Sequence, residues 1–246
     1  MKTQILCYWW NLATFNLLTN IINSHIHFEA LSGKSNLDNL NYQNFVFISS
    51  KKIDWNNLAK LTHFSLGIHP WYVDIHKYKD LEDLSFEIKK SKPIAVGECG
   101  LDLFGNRKKN ISKQEFFFDF QINLADENHL PLIVHSVRAN QLVLNHLKNS
   151  NTRGVIHGFY GSKEEAKQFI SLGFLIGIGH MVLKHNFQKL KEVVKSCPMD
   201  CILLETDDKD PQEINKVVFM ISKIKKLTVE DTVLICNKNA KKLFGI

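Results

Sequence analysis

Eight short apolar runs recur along this chain, and the stretches between them are charged and carry apolar residues at helical spacing. The runs are "NIINS" (20–24), "FVFIS" (45–49), "FSLGI" (64–68), "IAVGE" (94–98), "PLIVH" (131–135), "GVIHG" (154–158), "FLIGI" (174–178) and "CILLE" (201–205). They do not alternate between apolar and polar residues. Such runs are the pattern of parallel strands buried on both faces. The intervening "KYKDLEDLSFEIKKS", "SKQEFFFDFQINLADENH" and "SKEEAKQFISLG" place apolar residues three and four apart, as helices do. "GSKEEA" adds a serine cap with glutamate three residues on, and "VEDTVLICNKNAKKLFG" closes the chain as an amphipathic helix. Eight strands alternating with helices in 246 residues predict an α/β fold, a (β/α)8 TIM barrel in a single domain. A doubly wound open sheet is the competitor, weakened because no G-x-G-x-x-G follows the first run.

With 44% hydrophobic and 23% charged residues, the chain can bury a core of barrel size. The formal charge of +6 suits a polyanionic substrate without requiring one. The five cysteines, Cys7, Cys99, Cys197, Cys201 and Cys236, form no C-x-x-C pair. Neither a disulfide framework nor a zinc ribbon is suggested, and a reducing, cytoplasmic setting is expected. The first twenty residues are interrupted by Asn11, Thr14 and Asn16 and carry no small-x-small cleavage site. They are too polar to span a membrane and are read as an extension (1–20) packed on a barrel of residues 21–246. No membrane association and no obligate protein partner are implied.

In a barrel of this kind the functional face lies at the C-terminal ends of the strands. The polar residues there are His25 and His27 after the first run, Glu98 in the fourth, His135 in the fifth, His157 in the sixth, and Glu205 and Asp207 at the eighth. On a strand, residues 25 and 27 point to one side. Buried ionisable groups crowded together without a counter-ion would each cost several kcal/mol, roughly. Four histidines, one glutamate and one aspartate suffice to hold two divalent ions if one carboxylate bridges. The mixed imidazole and carboxylate set leaves zinc, magnesium and manganese open.

"SHIH", "GIHPW", "AVGECGLD", "PLIVHS", "IHGFYGS", "GFLIGIG", "LLETD" and "NAKKLFG" occur in an order that resembles the TatD-type metal-dependent deoxyribonucleases of the metal-dependent hydrolase superfamily. The likeness runs from about residue 21 to the C-terminus. It implies that His25, His27 and Asp207 hold one metal, that Glu98 bridges both ions, and that His135 and His157 complete the second site. It also implies that Asp207 takes a proton from the attacking water. His69 of "GIHPW" would contact substrate, although a histidine fixed by the Pro70 turn reads equally well. The resemblance implies cleavage of DNA phosphodiester bonds by a two-metal mechanism.

The chain departs from that pattern in several places. Asn23 stands where an aspartate is frequent, and "DKDP" follows "ETD", so Asp208 and Asp210 add negative charge where a phosphate would bind. Arg138 comes one place later than the usual arginine. Arg138 and the "NRKKN" loop (106–110) are candidates for positioning phosphate, and Tyr160 for stacking on a base, against the plainer readings of a solvated charge run and aromatic packing. His180 either reaches the pocket or lies exposed, while His63, His76, His129, His146 and His185 read as surface residues. Two rival functions stay open. One is a hydrolase of a small ester, lactone or aminoacyl ester on the same barrel. The other is a non-catalytic metal-binding relative.

Overall fold

The computed structural model describes residues 20–27 and 42–246. The expected N-terminal extension (1–20) lies, apart from Asn20, outside these residues. Eight strands form one parallel sheet in sequence order: β1 (Asn23–His27), β2 (Phe45–Ile48), β3 (Phe64–Leu66), β4 (Ala95–Asp102), β5 (Leu132–Val137), β6 (Gly154–Ile156), β7 (Phe174–Ile178) and β8 (Ile202–Leu204). Just past β8 the chain returns to β1: the Asp207 N–H donates to the His25 carbonyl at 2.9 Å, and the His27 N–H donates to the Asp207 carbonyl at 3.3 Å. This bridge closes the sheet into the expected (β/α)8 barrel.

The described helices are α1 (Trp55–Leu58), α2 (Lys79–Ser91), α3 (Ile111–Asn128), α4 (Asn140–Leu147), α5 (Lys163–Ser171), α6 (Gln188–Ser196), α7 (Ile214–Lys225) and α8 (Val229–Phe244). The capping box expected at α5 is present. Ser162 Oγ accepts the Glu165 N–H at 3.1 Å, and Glu165 Oε2 accepts the Ser162 N–H at 2.6 Å. One core lies between sheet and helices, with Phe117, Phe118, Phe169 and Phe174 among its largest buried side chains. A second, smaller core gathers Ile22, Val46, Ala95, Ile133, Val155 and Leu203 from the strands against Ala240, Leu243 and Phe244 of α8. The last helix therefore packs against the end of the barrel opposite the strand-end histidines. Among the described residues no helix is long and apolar enough to cross a membrane.

Two strands differ from the apolar runs in a way that shapes the site. β1 extends through His27, so its two histidines belong to the strand instead of closing it. β4 is eight residues long and continues past Glu98 to Asp102, pairing Gly100 with His135 and Asp102 with Val137. Gly100 makes that pairing possible. Its φ is +125°, and a Cβ there would sit 2.1 Å from the His135 carbonyl oxygen. Gly100→Ala is expected to lower folding stability by at least about 2 kcal/mol, read from denaturant unfolding, because strain and a backbone clash combine. His76, expected at the surface, is buried at 7% exposure. Its Nδ1 lies 3.1 Å from Asp80 Oδ2, and its carbonyl accepts Lys113 Nζ.

Candidate metal centre

The strand ends bring the expected side chains to one rim, around a cavity of about 400 Å³. Glu98 stands at its centre, 1% exposed. Its Oε2 lies 3.3 Å from His25 Nε2 and 3.4 Å from His27 Nε2. Asp207 Oδ1 is 3.3 Å from His27 Nε2 and 3.8 Å from His25 Nε2, and the two Nε2 atoms are 3.3 Å apart. The other oxygen of Glu98, Oε1, faces a different set: His135 Nδ1 at 2.9 Å, His69 Nε2 at 3.1 Å and His157 Nε2 at 3.3 Å.

These spacings fit metal coordination. Donors about 2.0–2.1 Å from a tetrahedral ion lie about 3.3 Å from one another. Among the described residues, Glu98 Oε2 is buried without a hydrogen-bond partner despite its nearness to two imidazoles. A bare carboxylate oxygen in that position calls for a cation. Three groups of donors lie within 4.8 Å of one another: His25, His27 and Asp207; His69, Glu98 and His135; and His25, His157 and Glu205.

Proton placement separates these histidines. His69 Nδ1 accepts the Trp71 backbone N–H at 3.0 Å, so the neutral ring carries its proton on Nε2 and presents a donor to Glu98. Burial holds His69 neutral, with its pKa down at about 4. A donor of this kind suits hydrogen bonding to an oxygen better than metal ligation. His135 is arranged the other way round: its Nε2 faces Asp102 Oδ2 at 3.2 Å, and Nδ1 faces Glu98. Behind His157, Glu205 Oε1 lies 3.4 Å from Nδ1 and accepts the Gly158 N–H at 2.6 Å.

The match to known proteins is as clear as the geometry. A model of the family described as TatD-related DNase fits residues 25–245. The chain belongs to that family. This TatD-family chain is 38% identical over 150 residues to the uncharacterized metal-dependent hydrolase YjjV of Escherichia coli (strain K12), an alignment covering 59% of this chain and 58% of that protein. It is 32% identical over 197 residues to the uncharacterized metal-dependent hydrolase YabD of Bacillus subtilis (strain 168), covering 74% and 77% of the two chains. The crystal structure of YjjV, a TatD homologue, superposes with a TM-score of 0.83 at 25% identity, over 93% of this chain and 99% of that one. The chain is thus a metal-dependent hydrolase by family.

The electrostatics of the TatD-type centre follow from its crowding. Burial works against the charge on Glu98, yet His69, His157 and His25 hold its pKa well below the usual carboxylate range. Burial likewise opposes the charge on Asp207, but the hydrogen bond from His27 and the nearby imidazoles outweigh it and keep the carboxyl ionised. Burial disfavours protonated His27, while Asp207 and Glu98 overcome it and raise the ring to about 10. His157 and His135 also rise, because their neighbouring carboxylates outweigh burial. His25 moves down, from burial and from His157, whose ring stacks on it at 3.7 Å between centroids.

Without a metal, protons thus occupy the gaps between these donors, and an incoming cation must displace them. Divalent-ion affinity is accordingly expected to rise with pH through the neutral range, towards the His27 value of about 10, with protons released on binding. Calorimetric titration in buffers of different ionisation enthalpy checks both the sign and the proton count. Affinity independent of pH would contradict it.

Around this centre the cavity wall includes Ser50, Lys51, His69, Trp71, Tyr72 and Asp208. Arg138 and Tyr160 are not among its walls. Arg138 is exposed, at φ 56°, with its guanidinium 4.7 Å above the Phe104 ring. Tyr160 is half-exposed and packs edge-on against Phe187 at 5.1 Å, the packing alternative. His180 is partly buried and also lies outside the cavity wall. In the "NRKKN" loop, Arg107 is drawn inward, 4.2 Å above Trp71, while Lys108 and Lys109 stay exposed. Asn23 is buried, donating to Thr206 Oγ1 at 2.7 Å and accepting the Thr206 N–H at 3.2 Å, so it ties β1 to the segment that carries Asp207. Asp208 lines the cavity beside Lys209, and Asp210 caps a 3-10 turn through the Gln212 N–H. Cys99, Cys197, Cys201 and Cys236 are free.

One buried carboxylate beside the centre, Asp102, is not marked by the apolar runs. It is 1% exposed and its pKa falls to about 2, since the His135 and Trp71 hydrogen bonds outweigh burial. Period-two spacing from Glu98 through residue 100 to 102 is the signal that could have found it.

Proposed function

We propose that this protein is a deoxyribonuclease that cleaves DNA phosphodiester bonds with two divalent ions. His25, His27 and Asp207 would hold the first and His135 and His157 the second, with Glu98 shared by the two sets. The observation that carries the reading is the division of Glu98: one oxygen faces His25 and His27, the other faces His135 and His157. The family's description as a DNase supports the substrate. The same donors fit zinc, manganese or magnesium.

When bound, such an ion pair polarises a phosphate oxygen and lowers the pKa of an attacking water. The chain's own residues do the rest. Asp207, whose side chain is 34% exposed to the cavity and held ionised, accepts the proton of that water. His69 lines the cavity with its Nε2–H against Glu98 Oε1, and contacts the substrate from that wall. Lys51, 5.0 Å above the Tyr72 ring, adds a cation to the cavity wall.

A second reading has one observation in its favour. Asp208 lines the cavity next to Asp207, a charge that a less anionic substrate would tolerate better. Metal-loaded protein incubated with oligonucleotide DNA, and separately with small esters and lactones, decides between the two. The DNase reading predicts chelator-sensitive DNA cleavage. Ester or lactone hydrolysis with intact DNA would replace it with the second reading.

A further inference from the structure

Asp102 sits where it can decide how His135 presents itself to the metal centre. Its side chain is enclosed on every side that the structure describes. Oδ1 accepts the Phe104 N–H at 2.7 Å. Oδ2 lies 3.2 Å from His135 Nε2, accepts the Trp71 indole Nε1–H at 2.5 Å, and is 3.7 Å from a guanidinium nitrogen of Arg107. The backbone is fixed as well: its N–H donates to Gln114 Oε1 at 2.8 Å, and its carbonyl accepts Gln114 Nε2 at 3.2 Å. Gln114 is itself 1% exposed on α3.

We propose that Asp102 is a positioning residue that forces the His135 proton onto Nε2 and so leaves the Nδ1 lone pair aimed into the centre. A carboxylate can only accept hydrogen bonds, and a neutral imidazole has one N–H. Carboxylates flank both ring nitrogens, so the metal-free ring holds a proton on each side; when a cation takes Nδ1, Oδ2 keeps the remaining proton on Nε2. Nδ1, 2.9 Å from Glu98 Oε1 and 3.2 Å from His69 Nε2, then presents its lone pair to the ion. This is the carboxylate–histidine–metal arrangement in which the outer carboxylate sets ring orientation and ligand basicity. The same oxygen anchors Trp71, over whose ring Arg107 lies, so one carboxylate holds both a ligand histidine and part of the cavity wall. This inference rests on the two-ion reading above.

Asp102→Asn changes the hydrogen-bond sense at the point that matters. With the amide oxygen kept on the Phe104 N–H, an NH2 group faces His135 Nε2 and the Trp71 indole N–H. The imidazole proton moves to Nδ1, and the lone pair is lost from the centre. Titration of stripped protein with zinc is expected to show the second ion bound about 10–100-fold more weakly in D102N, with the first ion unaffected. D102L, which offers Nε2 no acceptor in any orientation, removes the alternative amide arrangement and is expected to bind the ions as D102N does. Trp71→Phe, which removes only the indole donor from the same oxygen, is expected to leave both affinities near wild type. A general loosening of the fold would instead weaken both ions together. Nitrogen-15 NMR of the zinc-loaded wild type gives a readout that needs no variant: His135 should carry its proton on Nε2. A proton on Nδ1, or equal second-ion affinity in D102N and wild type, overturns the proposal. A wild type that binds fewer than two ions overturns the two-ion reading instead, a distinct result.

Discussion

Asp207→Asn is expected to lower kcat on oligonucleotide DNA by about 10²–10⁴-fold while leaving the barrel folded, the range lost when a positioned general base is removed. Asparagine is the informative replacement. Asp207 has φ 59°, a left-handed conformation that asparagine adopts at least as readily as aspartate. Its backbone bonds to His25 and His27 close the barrel and do not involve the side chain. The substitution therefore removes the proton acceptor and one anionic donor beside His27 but keeps the chain in place. Single-turnover kinetics and melting temperature, taken together, test this. An unchanged rate on DNA would remove Asp207 from the chemistry. A large fall in melting temperature would show that the side chain is needed for closure.

Glu98→Gln has the second large effect, and it acts through the metals before the chemistry. Each carboxylate oxygen faces its own set of imidazoles, so a neutral amide must turn an NH2 group towards one of them. One set then loses its anion and meets a donor. Affinity for at least one ion is expected to fall more than about 100-fold, beyond the loss typical of an outer partner. Activity is expected to fall by about 10³-fold or more as the charge stabilisation of the reacting phosphate disappears. Metal content measured after gel filtration, alongside the rate, checks both. Two ions retained with full activity in E98Q would show that Glu98 does not lie between them.

Much of this architecture is legible in the amino-acid sequence, for a physical reason. Strands covered on both faces must be apolar throughout, so eight unalternating runs reveal a parallel barrel, and a polar residue inside or just beyond such a run is conspicuous. His25, Glu98, His135 and His157 stand out on that ground, and the fold brings them to one rim. Asp102 does not, because the apolar run ends at Glu98, whereas glycine at position 100 lets β4 continue to Asp102 alongside His135. His76 reads as a surface residue because no periodicity marks its segment, and its burial depends on the packing that brings Asp80 and Lys113 around it. Lateral relations are least visible. Whether Arg138 or Tyr160 faces the cavity depends on a left-handed turn and on contact with Phe187, which neighbouring residues do not encode. The proton on His69 Nε2, set by the Trp71 amide, is likewise a three-dimensional fact.

Anomalous diffraction from crystals loaded with manganese or zinc tests the two-ion centre most directly. Two peaks about 3.5–4 Å apart, one beside His25 and His27 and the other beside His135 and His157, with Glu98 reaching both, are the predicted result. A single peak, or peaks elsewhere on the barrel, would contradict it.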